Sequence, residues 1–491
     1  MSISHKEPHL ILRAIKWIIT SKITYIYVLP IISWLYFMIY VFWFMIVNSP
    51  IELSRKREKI KFVMQKSWNA YKKDAWGYDF LGPQSHSGKD MHGLGYTIVD
   101  SLDTLLLMKM YKEFDEATKW INNSFSLNTQ VSFFEAVIRC LGGLLSVYEQ
   151  THEELFLNNA IKLGDRLLLA FMTPTGLPKS MIDLKTGRGT DHPWAPNISL
   201  LADAGSVQLE FLALSIHSGN YTYWEYAARS LKVLMKFGPI PPTQIRNDYL
   251  FPASESFSFD SFGDSYFEYL IKLELYSPNN VSFLKQEFLE SIMEARKRLT
   301  FTSILTKKEY FASISSSLYQ HSISHLLFFL PGSLFLASQH YPLYSNEFSI
   351  LGKSLLNTAV WLYKQTPTHI GGETVQFVQF SPGYYWTEDT YKLRPELIES
   401  LFYSWRINKD YNARIVAWKI FEGIKKYCSV DDGFSQVSDT NTNTVIYGDI
   451  QESFFLSETL KYLYLMFCDD SVYSLNDYVF TTQAHPLKKR K

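Results

Sequence analysis

Cysteine is scarce in this chain: Cys140, Cys428 and Cys468 are the only three in 491 residues. Their spacings match no zinc or CxxC pattern, and an odd count leaves at least one thiol unpaired within the chain. Neither sign of charge is in excess, with 48 Lys and Arg against 48 Asp and Glu. A nucleic-acid binder would carry a basic surplus, so that partner class is set aside. Familiar catalytic signatures are also missing. HSISH (His321–His325) lacks the glutamate of HExxH, which argues against a zinc protease. The Gly82…Gly88-Lys89-Asp90 stretch has the wrong spacing for a P-loop, and no G-x-S-x-G elbow occurs. From Ser67 onward there is no long Pro/Gly/Ser linker and no low-complexity tract. The body therefore reads as one domain, above the usual size.

What is present is aromatic and apolar. Aromatics make up 16% of the chain against 20% charged residues, which suits a large core or a sugar-binding cleft. Ile23 to Asn48 carries no charge, and Tyr25 to Val47 is overwhelmingly apolar. That is long enough to cross a bilayer, with Pro30 tolerable near one end. No small-x-small site follows, so an uncleaved signal-anchor is expected rather than a signal peptide. Basic residues flank both sides and do not settle its orientation. Sequons at Asn122, Asn197, Asn220 and Asn280 suit a lumenal body. The expected order is a cytosolic tail (1–22), a transmembrane signal-anchor (23–48), a stem (49–66) and a lumenal domain (67–491), single-pass and monomeric. Helical periodicity recurs through that domain, for example at Ile98–Phe114, Ser132–Gln150, Ser322–His340, Ser345–Gln365 and Glu452–Phe467, while strand signals are short and local. Mostly α is what the pattern supports.

Several carboxylates sit where a core would not choose them. Phe454 and Glu458 are four apart on a helix with little polar surface, and buried Glu is rare unless paired. Glu135 and Arg139, four apart in FFEAVIRCLGGLLS, read by themselves as a buried ion pair. Asp264, opening DSYFEYLIK, would serve equally as an N-cap. Asp100 and Asp103, three apart at an expected helix start, read as capping carboxylates. Glu396 and Glu399 lie one turn apart in KLRPELIES beside Arg394, although like charges so close cost stability.

Taken in order, these stretches resemble glycoside hydrolase family 47, the class I α-1,2-mannosidases. WNAYKKDAWGYDFLGP with GLGYTIVDSLDTLLLMKM is similar to the family's N-terminal signature. ESFFLSETLKYLYLMF followed by YVFTTQAHPL is similar to its C-terminal one. The resemblance implies an all-α (α/α)7 barrel closed by a C-terminal β-hairpin. It also implies Ca²⁺ held by Thr482, since a hard cation prefers oxygen ligands. The activity implied is inverting hydrolysis of α-1,2-linked mannose on high-mannose N-glycans in the endoplasmic reticulum or early Golgi. Inverting glycosidases divide the work between a carboxyl that protonates the leaving oxygen and a carboxylate that activates water. Glu135, Asp264 and Glu396 inherit these roles, Glu396 as base, with Glu135 or Asp264 delivering the proton. Arg139, Asp203, Phe262, His325, Arg394, Glu399, Phe454 and Glu458 inherit substrate contacts. For His325, a hydrogen-bonded core position is the alternative. Three positions depart from the family pattern: Asp203 stands for Glu, Phe262 for Arg or Leu, and Gln483 for the Glu after the calcium threonine. A family disulfide is absent, its positions falling at Phe328 and near Ala359. A glycan-binding member of the ER-degradation-enhancing kind, with little turnover, is the alternative activity.

Overall fold

Two kinds of helix alternate along the chain. The first is buried on nearly every side: Tyr96–Leu107, the run Phe133–Glu135 continuing through Ala136–Leu141 into Gly142–Thr151, Gln208–Ser218, Asp264–Tyr276, Leu330–His340, Glu396–Asn408, and Phe455–Thr459 continuing into Leu460–Leu465. The second buries one stripe. In Tyr111–Ser124 that stripe is Phe114, Ala117 and Ile121, the spacing of an amphipathic helix lying on a core. A helix buried all round must be enclosed by others, and one-stripe helices are the covering layer. The computed structural model, which describes Lys16 and residues 29–47 and 49–490, arranges them in this way. Each helix of the first kind touches the next in chain order, and the last, Phe455–Leu465, also touches Tyr96–Leu107, so the series closes on itself. Tyr111–Ser124, Glu154–Leu167, Thr222–Leu234, Leu284–Arg298, Ser345–Gln365 and Tyr411–Tyr427 each pack on the ring helix that precedes them.

Two ring helices contain a π-helical turn, Ala136–Leu141 and Phe455–Thr459. Such turns are rare and concentrate at functional sites; these two carry Arg139 and Glu458. Strands are short. The last pair, Tyr478–Phe480 and Pro486–Lys488, forms an antiparallel hairpin with Val479 opposite Leu487. Its first strand packs on Asp264–Tyr276 and its second on Gly142–Thr151, which fixes the intervening loop, residues 481–485, between two ring helices.

Local outcomes differ from the periodic pattern in instructive places. The expected helix Ile98–Phe114 is two helices, broken at Lys109, whose φ of 56° is left-handed. The expected helix Ser322–His340 begins as a strand, Ser322–Ser324, paired with Thr374–Phe377, passes through a 3-10 turn and is α-helical only from Leu330. The alternation Ser-Ile-Ser was the strand signal within that stretch. Ser345–Gln365 is a helix over the expected range. Helix Pro50–Asp74 runs through the expected stem boundary.

The chain divides into two units, residues 1–59 and 60–491. The first contains helix Leu29–Val47, which has no acidic residue in its first turn and no basic residue in its last. The expected tail and the first part of the expected span, 23–28, lie outside the described residues apart from Lys16. Among the described residues no helix is long and apolar enough to cross a membrane.

Candidate active site

One cavity of about 800 Å³, mouth included, collects side chains from four ring helices and the C-terminal loop. Glu135 and Arg139, Asp264 and Glu268, Glu396 and Glu399, and Phe454 and Glu458 line it, with Arg394, Thr482 and Gln483. The structure thus brings together nine residues singled out in the sequence: Glu135, Arg139, Asp264, Arg394, Glu396, Glu399, Phe454, Glu458 and Thr482. Asp264 is not an N-cap, a position that Gly263 holds.

Six carboxyls and two guanidiniums share this lining, so carboxyl oxygens outnumber the cationic groups. Arg139 Nε donates to Glu135 Oε2 at 2.6 Å, and its NH1 donates to Ser453 Oγ at 2.6 Å. Arg394 forms a fork on Glu373, with bonds of 2.9 to 3.1 Å, and keeps NH1 3.9 Å from Glu396 Oε1. Both guanidiniums lie within 6 Å of the Phe454 ring, at 5.7 and 5.4 Å from its centroid, so the phenyl is pinned by two cation–π contacts. Burial pushes the Asp264 carboxyl up to about 7, and the neighbouring Asp260 and Glu268 charges add to it. Burial likewise pushes Glu399 up to about 7 although Lys272 Nζ lies 3.0 Å away. Burial raises Glu458 well above the carboxylate range, with Glu396, Asp100 and Glu399 contributing repulsion.

Beneath the cavity lies a buried polar floor. Asp100 and Asp103 are interior residues of helix Tyr96–Leu107, fully buried, so the capping assignment is overturned. Asp103 accepts from His485 Nδ1 at 2.9 Å and from Ser146 Oγ at 3.0 Å, and its other oxygen is 2.8 Å from Lys461 Nζ. Burial alone would raise the Asp103 carboxyl; Lys461 and His485 outweigh it and hold it at about 2. Asp100 accepts from Ser453 Oγ and from Gln483 Nε2, the latter at 3.1 Å. His485 Nε2 lies 3.2 Å from Asp100 Oδ1 without hydrogen-bond alignment. Lys461 also donates to Ala484 O at 2.7 Å. These contacts clamp the loop that carries Thr482.

Thr482 is the residue to test for a metal. Its N–H donates to Tyr269 Oη at 3.2 Å; among the described residues its hydroxyl and carbonyl oxygens take no partner. Two spare oxygens beside a surplus of carboxylates are the donor set a hard cation requires, so the residues present fit Ca²⁺. A separate group, Asp74, His86 and Asp432, also brings potential ligand atoms together, but Lys73 already pairs with Asp432 at 2.8 Å.

Three of the residues expected to contact substrate do not line the cavity. His325 is buried behind Glu396, giving or taking a bond at 2.7 Å between Nδ1 and Oε2, while Nε2 meets the Tyr363 hydroxyl. It sits where it can orient Glu396, not where it can touch a sugar. Asp203 and Phe262 belong to a neighbouring aromatic cluster: His192 Nε2 is 3.8 Å from Asp203, His192 stacks on Trp194 at 5.1 Å, and Trp194 lies 5.9 Å from Phe262. Trp194 and Phe262 are 58% and 43% exposed. Phe262 also holds a left-handed φ of 69°, an unusual conformation for a bulky residue.

Sequence inspection missed Glu268 and Lys272. They continue the Asp264 stripe at i+4 and i+8 of one helix, so the spacing to find them was there. Lys272 bridges Glu268 and Glu399.

The model of Glycosyl hydrolase family 47 matches residues 63–489. The chain is 38% identical over 448 residues to mannosyl-oligosaccharide 1,2-alpha-mannosidase IA of Sus scrofa, covering 88% of this chain and 67% of the relative. It is 34% identical to the endoplasmic reticulum mannosyl-oligosaccharide 1,2-alpha-mannosidase of Homo sapiens, covering 90% and 65%. Among solved structures, an alpha-1,2-mannosidase from Trichoderma reesei superposes with a TM-score of 0.83 at 27% identity, covering 89% of this chain and 99% of the other.

Proposed function

Because the chain belongs to glycosyl hydrolase family 47, we propose that it removes terminal α-1,2-linked mannose from high-mannose N-glycans, with inversion and with Ca²⁺ as cofactor. The single observation that carries this is the convergence of Glu135, Asp264 and Glu396, from three different ring helices, on one carboxyl-lined cavity that also contains Thr482. The closed ring and its covering helices support an (α/α)7 barrel plugged by the C-terminal hairpin.

Each residue has a task on this reading. Burial raises Asp264 to about 7, so it exchanges its proton near neutral pH, which suits the group that protonates the leaving oxygen. Glu135, fastened to Arg139, is a charged partner for the sugar ring. Glu396 is the base, with one oxygen anchored by His325 and the other left near Arg394. Phe454, held flat by two guanidiniums, offers its face to the terminal sugar, and Glu458 and Glu399 bond to its hydroxyls. Thr482 would hold Ca²⁺, whose chemistry is to bind sugar hydroxyls and water. Residues 23–48 would anchor the enzyme in the endoplasmic reticulum or early Golgi membrane, with the catalytic body lumenal, as a monomer. Mass analysis of a nine-mannose N-glycan incubated with the full chain, with Ca²⁺ and after chelation, tests this; release of mannose abolished by chelation is expected.

A second reading has specific support in Gln483 and Asp203, which replace Glu in the family pattern: a glycan binder with little turnover, serving glycoprotein quality control. Glycan binding without mannose release would establish it and overturn hydrolysis.

A further inference from the structure

Glu210 and Tyr269 have no place in the mechanism above, yet their geometry is directed at its cofactor site. Glu210 is fully buried on helix Gln208–Ser218. Its Oε1 accepts from the Tyr269 hydroxyl at 2.7 Å, and its Oε2 has no partner among the described residues. Tyr269, on the neighbouring ring helix, accepts in turn from the Thr482 backbone N–H at 3.2 Å. A tyrosine hydroxyl has one proton to give. The Thr482 N–H can only donate, so the Tyr269 oxygen accepts there and its one proton goes to Glu210, which holds the hydroxyl in place from the buried end. A buried carboxyl with an unpaired oxygen is costly, and burial pushes Glu210 up to about 8, so it is held neutral.

We propose that Glu210 and Tyr269 form a positioning relay that sets the Thr482 peptide in the orientation from which its carbonyl and hydroxyl oxygens bind the divalent cation. The relay acts through hydrogen bonds, not through charge. The inference rests on Thr482 being a calcium ligand, as argued above. Lys461 and His485 hold the far end of the same loop at Ala484 O and Asp103, so the relay supplies the restraint on the Thr482 side.

Calorimetric Ca²⁺ titration of the full chain, with thermal unfolding of the chelated protein beside it, tests the relay. Tyr269→Phe keeps the ring but loses the acceptor, and should weaken Ca²⁺ binding about fivefold or more, the scale of one hydrogen bond. Glu210→Leu should weaken it comparably, whereas Glu210→Gln, neutral and still an acceptor, should stay within about twofold of wild type. Unchanged affinity in Tyr269→Phe, or in Glu210→Leu should the first variant not fold, overturns the relay, even if either lowers the melting temperature. Equal loss in Glu210→Gln and Glu210→Leu overturns it in favour of a charge effect. If wild type takes up no Ca²⁺, the calcium assignment of Thr482 falls and the relay with it.

Discussion

The floor of the cavity and the aromatic cluster beside it are built on opposite terms. In the floor, Asp100, Asp103, Lys461 and His485 are fully buried and matched charge to charge. In the cluster, Trp194 and Phe262 are large, apolar and open, one of them in a strained backbone conformation. A buried matched set tolerates little substitution, because removing one partner strands the others. An exposed platform costs the fold little when changed. The contrast separates what keeps the site in existence from what can adjust which sugar it receives.

Substitution in the cavity wall should have the largest effect. Glu396→Gln is expected to lower kcat by about 10²–10⁴-fold, the worth of acid–base catalysis, with thermal unfolding unchanged; wild-type turnover would remove it from the mechanism. In the floor, Lys461→Met should cost about 3–5 kcal/mol by leaving Asp103 under-compensated. Urea unfolding checks this, and a loss under about 1 kcal/mol would make the floor no different from the surface.

The pH dependence of stability sharpens the contrast with two opposite signs. Asp103 is depressed to about 2, so its contribution, roughly 2 kcal/mol, is present above the ordinary aspartate range and fades as pH falls through about 2. Glu210 is raised to about 8. It therefore favours the fold fully below the ordinary glutamate range, and that support is lost as pH rises to about 8, at roughly 1.4 kcal/mol per unit. Unfolding of the chelated protein between pH 5 and 8 should show this alkaline slope together with that of Asp264, Glu399 and Glu458, which burial also raises, and Glu210→Gln should remove only the share of Glu210. In the cluster, the smallest effects are expected. Trp194→Ala should raise KM by about two- to fivefold with no loss of stability, on the order of 1 kcal/mol of ring contact. Phe262→Arg should narrow the set of mannoses released, read by mass; an unchanged product profile would count against the cluster as a selector.

The sequence disclosed the walls better than the floor. Glu135 with Arg139, Asp264, and Glu396 with Glu399 were visible because each pair or motif lies within a turn or two of helix. Asp100 and Asp103 read as caps because their partners, His485 and Lys461, are more than 350 residues away and share no local pattern with them. His325 was placed on a helix because Ser322–Ser324 lay inside an apolar run; its strand partner, Thr374–Phe377, is likewise distant in sequence. The covering helices declared their stripes, whereas Tyr111–Ser124 was hidden because only the left-handed Lys109 separates it from the preceding helix.

The ring closes between its first helix and its last, and the ion pairs of the floor join Asp100 and Asp103 to residues at the far end of the chain. During synthesis, therefore, the first ring helix emerges with two carboxylates whose counter-charges do not yet exist. Pairings of such sequence separation form late and slowly. The nascent body must wait, incompletely packed, until helix Phe455–Leu465 has left the ribosome to close the ring, and a chain cut short before Thr482 would lack the loop that completes the site. Catalytic competence in this molecule is thus also a record that translation has passed His485.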